Sequence, residues 1–183
     1  MKTLAVLCLS LIALGSQARA SEGNADLVIY PDNQGGFYET NIRQEGNTIL
    51  GSSMGASVDL LVHEGIYQGP TGPGLTSLAC TNGKCTGFIN SASFDMTTGE
   101  NGFTGNISAG TLGLVRKNGE ILITGARASS MDLKQTSAGN YEGTGVFANG
   151  VTFSATLKTS GTLADLRDPA LAAIFLVAPF SRY

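Results

Sequence analysis

Apolar and polar residues alternate along short segments of this chain, and turn residues separate the segments. From Val151 to Leu157, every second residue is apolar, and an Asn149–Gly150 pair stands just before. Side chains of a β-strand point alternately to its two faces, so this alternation is typical of a half-buried strand. Asn-Gly supplies the positive φ angles of a type I′ turn. The segment is therefore predicted to form a hairpin with residues 141–147.

Three further Asn-Gly pairs begin at residues 82, 101 and 118, each between segments that read as strands. The pattern predicts a chain built largely from consecutive hairpins, with local pairing throughout. The predicted strands are residues 26–30, 37–43, 48–51, 57–63, 75–80, 85–90, 92–97, 103–108, 111–116, 120–125, 128–134, 141–147 and 151–157. The expected fold class is all-β, mainly an antiparallel meander that closes as a barrel or packs as a sandwich.

The C-terminal part of the chain has a different character. Asp168–Pro169 has the capping carboxylate and the preset φ of a helix start, and Ala-Leu-Ala-Ala follows. These residues predict one short helix at about residues 162–173. The apolar run 170–180 has about half of the roughly 20 residues that cross a bilayer as a helix. We expect it to pack on the sheet or close it.

The first twenty residues have the pattern of a cleaved secretory signal peptide. Lys2 gives the positive start, 4–14 an apolar core, and Ala18-Arg19-Ala20 a small-x-small cleavage site. The expected mature protein is a single domain, residues 21–183, exported to the periplasm, the cell surface or the medium. No membrane-spanning helix is expected once the signal is removed.

Composition narrows the function. Without residues 1–20 the chain keeps nine basic and fourteen acidic residues, a formal net charge of −5. Nucleic-acid binding needs clustered Lys and Arg, and the nine bases are scattered, so we expect no nucleic-acid partner. Glycine is frequent without a collagen period, which is typical of a chain with many turns.

Cys80 and Cys85 carry the most specific local chemistry. If Asn82–Gly83 form a two-residue turn, Thr81 and Lys84 are the hydrogen-bonded pair and the cysteines are the next, non-hydrogen-bonded pair. Such pairs hold their Cα atoms about 4.5 Å apart, which permits a disulfide. The spacing fits neither a redox-active C-x-x-C nor a zinc site. We predict a structural disulfide in an oxidising compartment.

Other motifs are interpreted as structural. Gly51-Ser52-Ser53-Met54-Gly55 matches the G-x-S-x-G elbow of serine hydrolases, but no parallel-sheet pattern surrounds it. The single histidine, His63, lies on the more polar face of a strand and is expected to be solvated. Residues 32–36 lack the spacing of a calcium loop and indicate a turn. No catalytic residue, metal ligand or cofactor site is predicted, and the protein is not expected to be an enzyme.

Residues 65–74 are predicted to be an exposed loop, because Gly and Pro interrupt them repeatedly. Gly69, Pro70, Gly72 and Pro73 are the candidate recognition residues. The expected function is binding of a small molecule or a protein partner, either inside the sheet or at this loop. The alternatives are a subunit of a pilus or extracellular matrix and a small eight-stranded outer-membrane barrel. Neither the ligand nor the oligomeric state follows from the residues.

Residues 93–108 combine Phe94-Asp-Met, a Gly/Asn turn and Phe103-Thr-Gly-Asn-Ile. This segment resembles a hairpin of transferrin-binding-protein-like surface barrels of bacteria. It spans about a tenth of the expected mature chain, and the leader lacks the lipobox of that family, so the chain is not assigned to it.

Overall fold

A computed structural model describes residues 22–32, 35–108, 110–126, 129–164 and 166–181, and in the helix it describes side chains as far as Leu176. The predicted leader, residues 1–20, lies outside this range. The strands are β1 (Glu22–Pro31), β2 (Tyr38–Glu45), β3 (Thr48–Ser53), β4 (Ala56–His63), β5 (Ile66–Thr71), β6 (Gly74–Thr81), β7 (Lys84–Ile89), β8 (Ala92–Gly99), β9 (Gly102–Ile107), β10 (Gly110–Lys117), β11 (Glu120–Thr124), β12 (Ser130–Ser137), β13 (Asn140–Val146) and β14 (Thr152–Gly161). One helix, α1, runs from Pro169 to Ser181.

The strands form one closed antiparallel meander. Each strand pairs with its neighbours in sequence, and β1 pairs with β14 from Gly23↔Gly161 to Pro31↔Phe153. The fold class is therefore confirmed as all-β with one helix, and of the two expected architectures the barrel is the one formed. All thirteen predicted strands are present within a few residues, and β5 is the additional one.

The wall is built from an 18-residue structural repeat that the sequence reading did not detect. β2, β4, β6, β8 and β10 each have eight residues, and each begins 18 residues after the one before. β3, β5, β7 and β9 have six residues at the same spacing. The fifth residue of each longer strand is buried in the core: Ile42, Leu60, Leu78, Met96 and Leu114. The repeat thus supplies one inward apolar layer at a constant height in the wall.

A glycine recurs as the fourth residue of the shorter strands, at 51, 69, 87 and 105. At Gly87, φ is +142°, and a Cβ would lie 2.0 Å from the carbonyl oxygen of Ser77 on β6. An L side chain there would meet both backbone strain and a backbone clash. Glycine at this position lets adjacent strands approach closely as the sheet curves into a barrel.

Helix α1 occupies the lumen of the barrel. A ring of about eight strands can be filled by its own side chains, and roughly 16–18 strands leave an open channel, so fourteen strands enclose more space than the wall fills. The seven consecutive residues from Ala170 to Leu176 are each at most 3% exposed. A helix on an outer surface would expose one face. Since α1 approaches β2 and β3 as well as β7 and β8, it lies inside.

Helix α1 begins at the predicted Asp168–Pro169 helix start, but its residue range differs from the predicted one. Asp168 Oδ1 accepts hydrogen bonds from the backbone N–H groups of Ala170 (2.9 Å) and Leu171 (3.2 Å), and Pro169 is the first helical residue. The predicted range of 162–173 is wrong, because a residue before proline is disfavoured in the α conformation and the helix must begin after Asp168. In the described part of the chain, no helix meets the length and apolarity required to span a bilayer.

The predicted hairpin between β13 and β14 exists, but its turn differs from the prediction. Gly150 has a φ of +83°, whereas Asn149 is not left-handed, so the turn is not type I′. Gly150 N–H donates to the Phe147 carbonyl (2.9 Å), and Phe147 N–H donates to the Val151 carbonyl (2.9 Å). This is a three-residue loop with a left-handed glycine, the next most common hairpin connection.

The position of α1 predicts that its side chains carry a large share of the stability. Phe175 is 0% exposed, so Phe175→Ala should lower the free energy of unfolding by about 3–5 kcal/mol through lost burial and a cavity. Phe37 is 59% exposed, so Phe37→Ala should change the free energy of unfolding by less than about 0.5 kcal/mol. Urea unfolding of both variants measures the difference. Equal effects would contradict an enclosed helix.

The repeated glycine gives a second stability test. Gly87→Ala should cost about 1–3 kcal/mol, because alanine is strained at this φ and meets the β6 backbone. Gly35 has no heavy atom within 4 Å of a built Cβ, so Gly35→Ala makes the same chemical change without a clash. Thermal unfolding of the two variants should separate them by several degrees. A Gly87→Ala protein as stable as the Gly35→Ala control would refute the role given to this position.

Candidate functional site

One end of the barrel, called the mouth here, carries the turns that follow the even-numbered strands β2 to β12 and the segment between β14 and α1. This segment, the linker (residues 162–164 and 166–168), crosses the mouth before the chain enters the lumen. Leu163 and Leu166 of the linker are each 1% exposed and belong to the core. The linker therefore closes part of the opening.

Hydrogen bonds from well-separated strands hold the linker in place. Thr162 Oγ1 donates to Gln44 Oε1 of β2 (2.8 Å), and Thr159 Oγ1 of β14 donates to the Ala164 carbonyl (2.7 Å). From the far side of the ring, Arg116 Nη2 of β10 donates to the Leu166 carbonyl (3.1 Å). The linker is thus fixed to the wall at several points around the mouth.

Tyr67 and Asp168 form the link that joins the wall to the helix cap. The Tyr67 hydroxyl, from β5, donates a hydrogen bond to Asp168 Oδ2, while Oδ1 of the same carboxylate caps α1. Burial raises the pKa of Tyr67 well above its ordinary value, and the negative charge of Asp168 and this hydrogen bond raise it further. The carboxylate therefore serves two elements at once, each through one oxygen.

Beside the linker, the mouth holds a cavity of about 690 Å³, called the vestibule here. It lies between the turns of the β8–β9 and β10–β11 hairpins, strands β12 and β13, and the linker. The lining residues are Thr98, Gly99, Glu100, Asn101, Gly102, Arg116, Lys117, Asn118, Gly119, Glu120, Ile121, Gln135, Tyr141 and Arg167. Its volume falls within the range of about 300–1,000 Å³ typical of ligand pockets.

The vestibule has charged walls and a small apolar floor. Tyr141 (8% exposed) and Ile121 (1% exposed) close it toward the barrel interior, while the turn residues Asn101 and Asn118 are exposed. The cavity therefore opens to solvent at the turns. Such an arrangement can hold a polar molecule by its substituents and contact one apolar face of it.

Three basic residues and two acidic residues line the vestibule. Glu120 Oε1 lies 3.5 Å from Nζ of Lys134, a residue that does not line the vestibule. The ammonium group of Lys134 therefore partly balances the negative charge of Glu120. The sequence reading missed all of these residues, because they belong to no motif and come from two hairpins and the linker, which is distant from both in the chain. The repeat would have been a signal, since the β8–β9 and β10–β11 turns occupy equivalent positions 18 residues apart.

The predicted disulfide is present. Asn82 (φ +51°) and Gly83 (φ +75°) form the expected type I′ turn, Thr81 pairs with Lys84, and the sulfur atoms of Cys80 and Cys85 lie at bonding distance. The two Cα atoms are 4.0 Å apart, close to the separation expected for a non-hydrogen-bonded pair. The cross-link closes the β6–β7 hairpin at the mouth, outside the vestibule lining.

The prediction that residues 65–74 form an exposed loop is wrong. Gly69 and Pro70 lie within β5, and only Gly65, in the turn before β5, and Gly72–Pro73, in the turn after it, are turn residues. The β4–β5 register stops after Val58↔Thr71 and resumes at Leu61↔Gln68, and between these pairs Pro70 has no N–H to donate. One missing bond does not end the strand, because β6 pairs with β5 along its whole length. A role of these residues in recognition stays a prediction.

The structure does not bring Ser53 and His63 together as a catalytic pair. Ser53 is buried and its Oγ lies 3.2 Å from Oγ1 of Thr40, and the turn after it leads to another strand rather than to a helix. His63 is 72% exposed with Nε2 3.9 Å from Oε1 of Glu64, which confirms a solvated histidine. Residues 33–34 of the predicted turn at 32–36 lie outside the described range. Among the described residues, no group of three or more His, Cys, Asp and Glu side chains is placed to hold a metal ion.

Comparisons of the chain with protein-family models, curated proteins and solved structures gave no match. The molecule is a closed barrel filled by its C-terminal helix. Its function is inferred from the geometry of the mouth and of the outer surface.

The raised pKa of Tyr67 predicts a loss of stability in alkali. An unfolded tyrosine ionises near pH 10, while the folded protein holds the proton, so the stabilisation is complete below about pH 10 and declines above it. Tyr67→Phe removes this contribution. Urea midpoints measured from about pH 8 to 11 should fall more steeply above pH 10 for the parent than for Tyr67→Phe. Tyr30 is 46% exposed, so the control variant Tyr30→Phe should show the same pH dependence of the urea midpoint as the parent. If the midpoints of Tyr67→Phe fall as steeply above pH 10 as those of the parent, the Tyr67–Asp168 hydrogen bond does not have the role given to it.

Proposed function

We propose that this chain is an exported, non-catalytic binding protein, and that the vestibule binds a small polar molecule. The observation that carries the proposal is the filled lumen. Helix α1 fills the interior along residues 170–176, and a cavity of about 690 Å³ lies at the mouth. Of the two sites anticipated from the sequence, the sheet interior is thereby disfavoured.

The rigidity of the mouth supports a binding role. Hydrogen bonds from β2, β10 and β14 fix the linker, and the carboxylate of Asp168 ties α1 to β5. A site with a fixed shape binds with little loss of conformational entropy. The barrel acts as the scaffold, and the hairpin turns present the contacts.

Two observations support a non-catalytic, exported protein. Ser53 and His63, the residues that most resembled parts of a hydrolase site, have only structural or solvent contacts. Cys80 and Cys85 are paired, as is typical of proteins in oxidising compartments. The predicted signal peptide points to the same compartments.

The two alternative functions are less favoured. Donation of a strand to a neighbouring subunit needs a free edge or a free segment, but β1 and β14 pair with each other and residues 170–176 are buried. The barrel has fourteen strands rather than eight, and charged residues such as Asp26, Asp132 and Lys158 lie on its outer face opposite buried neighbours. Charges at such positions are costly against lipid.

A second candidate function is protein recognition by the outer face of β5–β7. Leu75 is 61% exposed and pairs directly with Pro70, and Phe88 on β7 is 41% exposed. These side chains form an uncharged stretch with Pro70, one of the candidate recognition residues, whereas Gly69 shares the inner face of β5 with Tyr67 and Thr71. Exposed apolar surface of this kind is a common feature of protein-binding sites.

Amide chemical-shift mapping of the protein from Ser21 to Tyr183 tests the proposal. Titration with sugars, sugar acids, amino acids, dicarboxylates and nucleotides should shift the amides of Asn101, Asn118 and their neighbours for at least one compound. The amides of Ser57 and Ser93, at the opposite end of the barrel, serve as internal controls and should not move. If every compound leaves the vestibule amides unchanged, the proposed function is wrong.

A further inference from the structure

We infer that two copies of this chain associate face to face through the outer side of β4–β7, because this surface becomes complementary to itself when it is turned by half a rotation. The outward residues of these four strands are called the dimer face here. The inference rests on the second candidate function, protein recognition by the outer face of β5–β7, and names the partner. It is independent of ligand binding in the vestibule, whose lining residues lie outside these strands.

The centre of the dimer face carries no charge. β5 and β6 are described over their whole length, and their outward side chains are all uncharged: Ile66, Gln68, Pro70, Leu75, Ser77, Ala79 and Thr81. Leu61 on β4, 60% exposed, and Phe88 on β7 extend this surface to both sides. A lack of charged residues around exposed large apolar side chains is typical of the core of a protein–protein interface.

The strand register places four outward residues in one row across the dimer face. Leu61 pairs with Gln68 on β5. Ser77 on β6 pairs with Gln68 on one side and with Phe88 on the other. A two-fold axis along this row sets each of the four residues against its own copy. An amide and a hydroxyl both donate and accept hydrogen bonds, and apolar groups pack on each other, so every residue of the row suits its copy.

The same axis exchanges the rows on its two sides, each two residues away along the strands. Leu75 then faces Ala79 of the partner subunit, and Pro70 faces Ile66 of the partner subunit. Pairing a large side chain with a small one lets two surfaces interdigitate, as the layers of a core do. Because a two-fold interface repeats every contact, this match of sizes occurs on both sides of the axis.

The edges of the dimer face are compatible with this arrangement. Asp59 and His63, both exposed on β4, lie on opposite sides of the axis, so Asp59 faces His63 of the partner subunit. A ring N–H of His63 can donate to this carboxylate, since its 3.9 Å contact with Glu64 is too long for a hydrogen bond. At the other edge, Lys84 and Asp95 balance each other at 3.4 Å. Neither edge brings like charges together.

The size of the dimer face predicts a weak dimer. Four strands about 4.8 Å apart and five residues of about 3.3 Å each cover roughly 19 by 17 Å in projection. With the relief of the side chains, the two copies together bury roughly 1,000 Å², which is the lower end for a specific protein interface. We therefore expect a dissociation constant in the micromolar range.

Sedimentation velocity of the protein from Ser21 to Tyr183, at about 1–300 µM, tests the inference. The parent should change from monomer to dimer within this range. Leu75→Lys introduces a charge into the apolar contact and should weaken association at least about tenfold. Leu122→Lys makes the same change at a residue that is 44% exposed on the outer face of β11, and it should associate like the parent. Equal thermal unfolding midpoints would show that both variants are folded.

Cross-linking tests the position of the axis. Facing sheets pack about 10 Å apart, so a short bismaleimide should join Ser77→Cys to its own copy and give a covalent dimer on a denaturing gel. Thr156→Cys on β14 is the matched control, because Thr156 is also outward and half-buried. The control should stay monomeric. The native cysteines do not react, because they are joined in the disulfide.

The results separate the inference from the candidate function on which it rests. A parent that is monomeric at about 300 µM, equal association of Leu75→Lys and Leu122→Lys, or no cross-linking of Ser77→Cys would overturn the inference. Immobilised parent and Leu75→Lys are then compared for retention of other exported proteins of the producing cell. If the parent is monomeric but retains a different protein that Leu75→Lys does not retain, the inference fails and protein recognition by this face stands. If neither retains a protein, both fail.

Discussion

Burial of one apolar helix inside a wide ring of strands is the interaction on which the rest of the structure depends. Fourteen strands enclose more volume than their inward side chains fill, and an empty apolar lumen would forfeit the contacts that stabilise a core. Helix α1 supplies those contacts from Ala170 to Leu176. Wall and helix therefore depend on each other. The helix has no polar face with which to remain in water, and among the described residues it is the helix that fills most of the lumen.

This mutual dependence explains the construction of the mouth. The chain must pass from the wall at β14 into the lumen, so the linker crosses the opening and its backbone polar groups need partners. Thr159 and Arg116 supply two of them, and Asp168 satisfies the first N–H groups of α1 while accepting from Tyr67. The same crossing leaves an uncovered sector over β8–β13, and this sector is the vestibule. The proposed site is thus a consequence of how the barrel is closed.

Local residue chemistry made much of this fold predictable. Period-two alternation located thirteen strands, Asn82–Gly83 with the flanking cysteines gave the turn, the pairing and the cross-link of one hairpin, and Asp168–Pro169 gave the start of the helix. β5 was missed because Gly69 and Pro70 are poor strand residues, yet pairing with β6 outweighs that preference. The vestibule was not predictable from motifs, because Arg116 and Gln135 lie on different hairpins and Arg167 reaches them only when the linker crosses the mouth of the closed barrel.

The sequence alone determined the type of element, the hairpin order and the disulfide, because each depends on residues a few positions apart, whose geometry the backbone fixes. Only the tertiary structure decided that β1 meets β14, that the apolar segment enters the lumen instead of covering the sheet, and that basic residues from two distant segments share one cavity. Those outcomes depend on the number of strands that complete the ring and on the volume they enclose, and these are properties of the whole assembly that no short segment contains.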